Sequence, residues 1–273
     1  MKQQELEHRI EKYLKRQFGI TIKSASKRQV YEALMSTVRE KLSEKKFAYE
    51  QELKKTKQKR AYYMSMEFLV GRTLRNNLFN LGVEKEIKEY LSDNNFDLDE
   101  IYDIEPDPGL GNGGLGRLAS CYLDALTSSD YPVTGFSILY EYGIFKQVIN
   151  NGWQQEFPDY WLDLGKYGLV YRNDEEIEVR FYGHVEEKMT ENGFTVEHKD
   201  YTSIQAEPYD LLISGYKTKT VNTLRLWEAK AKTGFNMKLF ERGEYSKSSE
   251  AEAIASSISK LLYPADSTNE GKE

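Results

Sequence analysis

The stretch Pro108-Gly109-Leu110-Gly111-Asn112-Gly113-Gly114-Leu115-Gly116-Arg117 holds five glycines within eight residues. Because glycine is entropically costly to order, this density predicts backbone conformations or close approaches that a Cβ atom would forbid. A helix-forming segment follows, with apolar side chains at Leu118, Tyr122 and Leu126. A glycine turn that leads into a helix N-terminus leaves backbone N–H groups exposed at the positive end of the helix dipole. The stretch therefore predicts a turn that binds an anion, most often a phosphate.

The segments on either side of the glycine run predict an α/β fold. Residues 60–69 are rich in aromatic side chains and poor in turn formers, which predicts a buried strand. A helix is expected to open at Gly71 and to stop at Gly82, and residues 131–140 predict a second strand. The order strand, helix, glycine turn, helix, strand is typical of an α/β domain with a parallel sheet.

The first half of the chain divides into two segments. Residues 1–60 predict helices, because Ser26 and Gln29 match a capping box that precedes apolar residues at four-residue spacing. Residues 61–142 form the predicted α/β core with its glycine loop. The first segment ends in a basic run, residues 54–60, which is either a solvated helix end or loop, or a site for an anionic effector or partner.

The second half of the chain has a different character. Residues 143–215 predict an antiparallel β insertion, because short alternating runs are separated by turns such as Asn192-Gly193. Residues 216–273 predict a buried return strand at 221–227 and then a charged helix over 248–262.

The composition excludes several classes of partner. A net charge of −6 over 273 residues disfavours nonspecific nucleic-acid binding. No apolar run approaches the roughly 18 residues that cross a membrane, and the first residues show no apolar leader segment. The single cysteine, Cys121, excludes an intrachain disulfide framework and is expected to be buried on its helix. The sequence therefore predicts a cytoplasmic protein.

Few side chains outside the glycine run are candidates for catalysis or for metal binding. Glu67 stands inside an apolar stretch, where a carboxylate needs either a structural salt bridge or a polar cleft, and both interpretations stay open. The three histidines, His8, His184 and His198, are not at ligand spacing, so no metal site is predicted. The acidic run 174–176 is expected to be a solvated turn between strands.

A nicotinamide-binding protein is an alternative interpretation of the glycine run. Residues 111–116 formally fit G-x-G-x-x-G, which would point to an NAD-dependent dehydrogenase. That fingerprint needs a strand that leads straight into the turn, and residues 103–108 make a poor strand. A Walker-type loop is excluded, because Arg117 and Leu118 stand where Lys and Ser or Thr are required.

Four motifs together resemble the α-glucan phosphorylases, the family of the glycogen, starch and maltodextrin enzymes. They are residues 62–72, residues 109–117, residues 142–147 and residues 221–227, in the same order as in the family. The resemblance runs from about Ser26 to the last residue and implies part of a Rossmann-like glycosyltransferase-B N-terminal domain. It implies cleavage of α-1,4-glucan by inorganic phosphate to give glucose 1-phosphate, with pyridoxal phosphate as the cofactor.

The resemblance also implies roles for particular residues. The N–H of Gly114 would face the substrate phosphate and that of Leu115 the glucosyl unit, while Asn112 and Gly113 would shape the turn. Gly113 and Gly114 would also line the cofactor site. Glu67 falls on the family glutamate beside this site, which favours a functional role for it. Preorganised donors of this kind are typically worth about 10²–10³ in rate each.

The resemblance covers only the first part of the family's N-terminal domain. The cofactor lysine, the basic residues that clamp both phosphates and the catalytic histidine belong to family segments that are absent here. We therefore expect residues 1–273 to be an incomplete domain that does not catalyse phosphorolysis alone. The alternative is a naturally short, non-catalytic protein that binds glycan or dimerises.

Regulation, gating and assembly can be read only from the resemblance. Lys54 stands where regulated animal enzymes carry a tyrosine that stacks on a nucleotide, so we expect an unregulated enzyme of microbial type. Residues 263–267 align with the gate loop over the active site, where Asp266 is retained. Family members commonly have Asn where this chain has Ala265 and Ser267. The helical stretch 243–262 resembles helices that pair subunits, which implies a homodimer.

Overall fold

The structure of the chain is a computed structural model that describes residues 3–191, 193–232 and 234–263. The helices in these residues are α1 (Gln3–Phe18), α2 (Lys27–Thr56), α3 (Leu74–Leu81), α4 (Glu84–Asp93), α5 (Leu98–Tyr102), α6 (Gly114–Ser128), α7 (Met237–Glu241), α8 (Tyr245–Ser248) and α9 (Glu250–Ser257). The strands are β1 (Ala61–Met64), β2 (Val133–Ile138), β3 (Gly143–Asn150), β4 (Trp153–Asp159), β5 (Leu169–Tyr171), β6 (Ile177–Phe181), β7 (His184–Thr190), β8 (Gly193–Lys199), β9 (Thr202–Ser214) and β10 (Val221–Ala231). No helix in this described part is long and apolar enough to cross a membrane.

The predicted helical N-terminus is confirmed, and its long second helix begins at the predicted cap. The Ser26 hydroxyl accepts a hydrogen bond from the N–H of Gln29, and the Gln29 side chain accepts one from the N–H of Ser26. The apolar residues of α2 then pack against α1, α3, α4 and α5 in one of the hydrophobic cores of the protein. This helical layer lies against the sheet through Leu212 of β9 and Val221 of β10.

The main sheet has six strands and is mixed. Its order is β1-β2-β10-β9-β5, and β6 pairs with the other part of β9. β1 and β10 both run parallel to β2, as the predicted α/β order requires, but β9 is antiparallel to β10, and β5 and β6 are antiparallel to β9. The expectation of a parallel sheet therefore holds for only three strands. The antiparallel strands come from the predicted insertion, which also forms the separate hairpins β3–β4 and β7–β8.

The prediction of a buried strand over residues 60–69 is wrong. Only four residues form β1, and Tyr62 and Met64 are 66% and 82% exposed. The cause is position in the sheet, because β1 pairs with β2 alone among the described residues. Aromatic composition indicates a strand, but it does not separate an edge strand from a central one.

Two predicted helices have different bounds in the structure. α3 begins at Leu74 rather than at Gly71, because the buried carboxylate of Glu105 accepts hydrogen bonds from the N–H groups of Thr73 and Leu74 at 2.7 and 2.9 Å. α3 ends before Gly82 as expected. The helix predicted over 248–262 is only the eight-residue α9, and it buries Ala255, whereas Ile254 and Ile258 are exposed.

Candidate functional site

Two loops hold each other in place at the start of α6. The loop after β1 donates two backbone hydrogen bonds to the glycine run, from the N–H of Phe68 to the carbonyl of Leu110 at 2.8 Å and from the N–H of Leu69 to the carbonyl of Gly116 at 2.9 Å. The Phe68 ring is fully buried among the residues of the sheet core. This buried side chain and the two hydrogen bonds fix the glycine run against residues 67–69.

Where a glycine of the run is required, the cause is close approach and not backbone conformation. None of the five has a positive φ. A Cβ at Gly111 would lie 2.9 Å from the backbone nitrogen of Leu69, and a Cβ at Gly116 would lie 2.9 Å from Oε2 of Glu67. The expectation that the run allows approaches forbidden to a Cβ is therefore confirmed at these two positions.

The middle of the run is open. A Cβ at Gly113 or Gly114 would meet no described atom within 4 Å. Gly113 is the N-cap of α6, and Gly114 is its first residue. In the part of the chain that the structure describes, the N–H groups of Gly114 and Leu115 donate no hydrogen bond. The first N–H groups of a helix have no partner within it, so these two form a site for an oxyanion.

Glu67 lies beneath this turn and is 2% exposed. Its Oε2 accepts a hydrogen bond from the N–H of Asn112 at 3.1 Å, and its Oε1 accepts one from the Tyr263 hydroxyl. No Lys, Arg or His in the described residues forms an ion pair with it, so the salt-bridge interpretation is wrong for this part of the chain. The carboxylate is instead satisfied by neutral donors, most of them from the glycine turn.

The hydrogen bonds to Glu67 set its charge. Burial alone would raise its pKa, but the hydroxyl of Tyr263 and the backbone N–H groups of Asn112, Gly113 and Gly116 more than offset this and lower the pKa below its usual value. Glu67 is therefore ionised at neutral pH. The same carboxylate raises the pKa of the Tyr263 hydroxyl that donates to it.

A second tyrosine supports the site from the other side. Tyr140 donates from its hydroxyl to the carbonyl of Met66 at 3.0 Å, and its own carbonyl accepts a hydrogen bond from the indole N–H of Trp161 at 3.0 Å. Burial, with smaller contributions from Tyr263 and Glu67, raises the pKa of Tyr140 to about 12. No sequence signal singled out Tyr140 and Trp161 as site residues, because aromatic residues in strands and loops usually belong to the core.

The structure brings most of the predicted site residues together. Glu67, Asn112 and Gly113 to Leu115 all lie at the junction of the two loops. The N–H of Asn112 is not free for a ligand, since Glu67 accepts from it, whereas those of Gly114 and Leu115 remain open in the described part. Asp266 and the rest of the predicted gate loop beyond Tyr263 lie outside the described residues.

The expectation that Cys121 is buried is wrong, because α6 turns a different face to the core. Its buried residues are Gly116, Ala119, Ser120, Leu123 and Thr127. The thiol of Cys121 is exposed. The predicted apolar positions Leu118 and Tyr122 are also about half exposed. Apolar spacing therefore indicated the helix correctly but not its buried side.

The remaining candidate groups lie apart from this junction. The described residues contain no cluster of three His, Cys, Asp or Glu that could hold a metal ion. Lys54 is exposed on the last turn of α2. In the acidic turn, Asp174 is exposed and bonded to Arg172 at 2.8 Å, but Glu175 also pairs with Arg225 of β10.

The residues before the glycine run do not form the strand that a dinucleotide fingerprint needs. α5 ends at Tyr102, and residues 103–113 contain no regular helix or strand. The turn is therefore held by the loop after β1 and not by a preceding strand of the sheet. This geometry removes the structural basis of the dehydrogenase alternative.

The known proteins to which this chain is similar are carbohydrate phosphorylases. The sequence profile of the carbohydrate phosphorylase family matches residues 91–273. The chain is 43% identical over 251 residues to the glycogen phosphorylase of Chlamydia pneumoniae, an alignment that covers 92% of this chain and 30% of the relative. It is 41% identical over 254 residues to that of Chlamydia trachomatis, covering 93% and 31% of the two chains. It is 43% identical over 249 residues to the human brain form of glycogen phosphorylase, covering 91% and 29%. The chain thus spans about 30% of the length of the curated relatives it matches.

Proposed function

Since this chain belongs to the carbohydrate phosphorylase family, we propose that it is the N-terminal part of an α-1,4-glucan phosphorylase. The complete protein would release glucose 1-phosphate from glycogen or maltodextrin with inorganic phosphate. The observation that carries this proposal is the pair of open N–H groups at Gly114 and Leu115, beside a buried and ionised Glu67.

The open N–H pair would stabilise negative charge that develops on bound oxygen atoms during phosphorolysis. The N–H of Gly114 would bind the substrate phosphate, and that of Leu115 would bind the glucosyl unit. Both donors belong to the fixed first turn of α6, so they need no reorganisation when negative charge grows on a bound oxygen. The exposed positions of Gly114 and Leu115 leave these donors accessible.

Glu67 would act mainly by positioning this turn. Its carboxylate accepts from the N–H of Asn112 and is itself held by Tyr263, so the turn is fixed from below. With the N–H of Asn112 committed to the protein, the next open donors along the backbone, those of Gly114 and Leu115, are the ones presented to a ligand. We expect loss of the Glu67 carboxylate to loosen the turn and to weaken both contacts.

The turn also fits the phosphate of pyridoxal phosphate. Gly113 and Gly114 leave open the space that a Cβ would fill, and an oxyanion is favoured at a helix N-terminus. When bound, the cofactor would supply its own phosphate as the acid–base group. Its covalent lysine would come from a region of the longer protein that this chain does not match. The 273 residues alone would therefore be inactive.

Several further features belong to the same proposal. The chain would be an incomplete glycosyltransferase-B N-terminal domain, cytoplasmic and homodimeric, with Asp266 in a gate loop. Its four segments would be the helical residues 1–60, the core 61–142, the insertion 143–215 and the return segment 216–273. The exposed apolar residues of β1 and of α6 would be covered by the rest of the longer protein.

A chimera would test this proposal. The chain would replace the matched N-terminal residues of the Chlamydia pneumoniae glycogen phosphorylase, whose remaining residues supply the other 70% of the length. We expect the chimera to form glucose 1-phosphate from a maltodextrin and phosphate, and the 273-residue chain alone to form none. Pyridoxal absorbance of the purified chimera would show that it has folded and bound its cofactor.

Variants of the chimera would then test the site. Glu67→Gln keeps the size of the side chain but removes the charge, and it should lower kcat. The matched control is Glu187→Gln, an exposed residue on β7 far along the chain from the turn. A cofactor-loaded chimera without phosphorolysis would refute the proposal and would favour a non-catalytic glycan-binding or dimerising chain.

A further inference from the structure

The peptide bond in front of Glu67 is fixed at both of its polar groups. Residues 65–73 form no regular helix or strand, so their backbone groups need partners from elsewhere. The carbonyl of Met66 accepts a hydrogen bond from the Tyr140 hydroxyl at 3.0 Å, and the N–H of Glu67 donates to Oγ of Ser65 at 3.3 Å. No other hydrogen bond to that carbonyl occurs within the described residues. The two contacts therefore fix the peptide plane from which the Glu67 side chain projects.

Tyr140 is itself held in place. It is 3% exposed within the core under the sheet, and its carbonyl accepts a hydrogen bond from the indole N–H of Trp161 at 3.0 Å. Burial raises the pKa of its hydroxyl to about 12, so the hydroxyl stays protonated at neutral pH. Tyr140 is therefore a fixed donor to the loop after β1.

Trp161 connects Tyr140 to the start of the glycine run. A Cβ at Gly109 would lie 2.6 Å from Cδ1 of Trp161, so the indole packs directly against this glycine. The pair of aromatic residues thus contacts both loops of the junction. Glu67 links the same two loops at the turn, since its Oε2 accepts from the N–H of Asn112. The position of the turn therefore depends on how the Glu67 backbone is oriented.

We propose that Tyr140, together with Ser65, is a positioning residue: it orients Glu67 and, through it, the open N–H pair of the glycine turn. This inference rests on the proposed function and adds a residue outside the glycine run to it. Without the hydroxyl, the carbonyl of Met66 loses its partner, and the Glu67 carboxylate can turn away from the N–H of Asn112. Small misplacements of preorganised donors are costly in rate, so the effect would reach the reaction.

Tyr140→Phe removes the hydroxyl and keeps the ring, and Tyr102→Phe is its matched control. Tyr102 is 7% exposed, and its hydroxyl donates to Glu84, also at 3.0 Å, in the core of the helical layer. In the chimera, with rates expressed per bound cofactor, we expect Tyr140→Phe to lower kcat about tenfold, as for loss of one hydrogen bond. Tyr102→Phe should leave kcat within about twofold. The KM for maltodextrin should change little in either variant, because the lost interaction acts on the transition state.

A second readout does not need catalysis. The pKa of Glu67 would be followed by NMR titration of the 273-residue chain. Tyr140→Phe should raise this pKa toward its ordinary value of 4.5, because the N–H groups of the turn would stabilise the carboxylate less, and Tyr102→Phe should not. Ser65→Ala removes the acceptor at the other end of the same peptide bond and should act in the same direction. It serves if Tyr140→Phe does not fold.

The two readouts separate this proposal from the proposed function. A cofactor-loaded chimera without activity would refute the phosphorylase function, and the NMR titration would still test Tyr140. An unchanged pKa of Glu67 in Tyr140→Phe, or in Ser65→Ala where the former does not fold, would overturn the positioning role whatever the rate. An equal loss of kcat in Tyr140→Phe and Tyr102→Phe would overturn it as well.

Discussion

The tight contact at Gly116 predicts a difference between two glycine-to-alanine variants of the same helical turn. In Gly116→Ala the new Cβ would lie 2.9 Å from Oε2 of Glu67 and 3.0 Å from the backbone nitrogen of Leu69. In Gly114→Ala it would meet no described atom within 4 Å. Both residues are in the first turn of α6, so the two variants share the change in helix propensity.

The difference in unfolding free energy between the two variants depends on whether the atoms that face the new Cβ at position 116 can move away. Alanine is favoured over glycine in a helix interior by about 1 kcal/mol, and this term largely cancels between the two variants. The Glu67 carboxylate cannot easily withdraw, because Asn112 and Tyr263 hold it. The Leu69 nitrogen is part of the backbone and is bonded to the Gly116 carbonyl. Overpacking of this kind costs about 1–3 kcal/mol, which is the expected difference in unfolding free energy.

Urea and thermal unfolding of the two variants would measure this difference. For a chain of this size, about 1–3 kcal/mol corresponds to roughly 2–12 °C in Tm, with Gly116→Ala the less stable. Gly114→Ala should equal or exceed the unsubstituted chain in stability. Equal unfolding midpoints for the two variants would refute the view that Gly116 is required by its contact with Glu67.

Other substitutions around the junction have expected outcomes of their own. Because the pKa of Glu67 lies below its ordinary value of 4.5, its carboxylate stabilises the fold above that pH and loses this contribution as the pH falls through the lowered pKa. Glu67→Gln should therefore lose less stability between about pH 6 and about pH 3 than the exposed control Glu187→Gln, as followed by urea midpoints. Tyr263→Phe should cost roughly 1–2 kcal/mol and raise the pKa of Glu67 in an NMR titration, and an unchanged pKa would contradict the hydrogen bond between them. Phe68→Ala should cost about 3–5 kcal/mol in urea unfolding, whereas Leu115→Ala at a half-exposed site should stay within about 0.5 kcal/mol; similar losses in both would be inconsistent with the burial described.

Local sequence patterns predicted the helices and hairpins well where the signal is itself local. The Ser26 capping box is an interaction between residues three apart, and it appears in the structure as predicted. The start of α3 was missed because its first N–H groups are capped by Glu105, which lies more than thirty residues away in sequence. No inspection of residues 71–74 alone could reveal that partner.

Burial was predicted less well than element type. Cys121 and Tyr62 were expected in the interior, yet both are exposed. The spacing of apolar residues in a sequence is the same whether or not another element of the fold covers those side chains. Which face of α6 is covered, and which strand lies at the edge, depends on neighbours that come from distant parts of the chain.

The sequence by itself determined that a glycine-rich turn leads into a helix and that an acidic side chain, Glu67, stands in an apolar stretch nearby. These facts follow from residue types at short spacing, for which backbone sterics and helix-end chemistry are sufficient. Only the tertiary structure decided that Glu67 accepts from Asn112, that Gly111 and Gly116 make room for the loop after β1, and that Gly113 and Gly114 stay open. The physical reason is that packing distances and hydrogen-bond partners are properties of two segments brought together, and neither segment carries them alone.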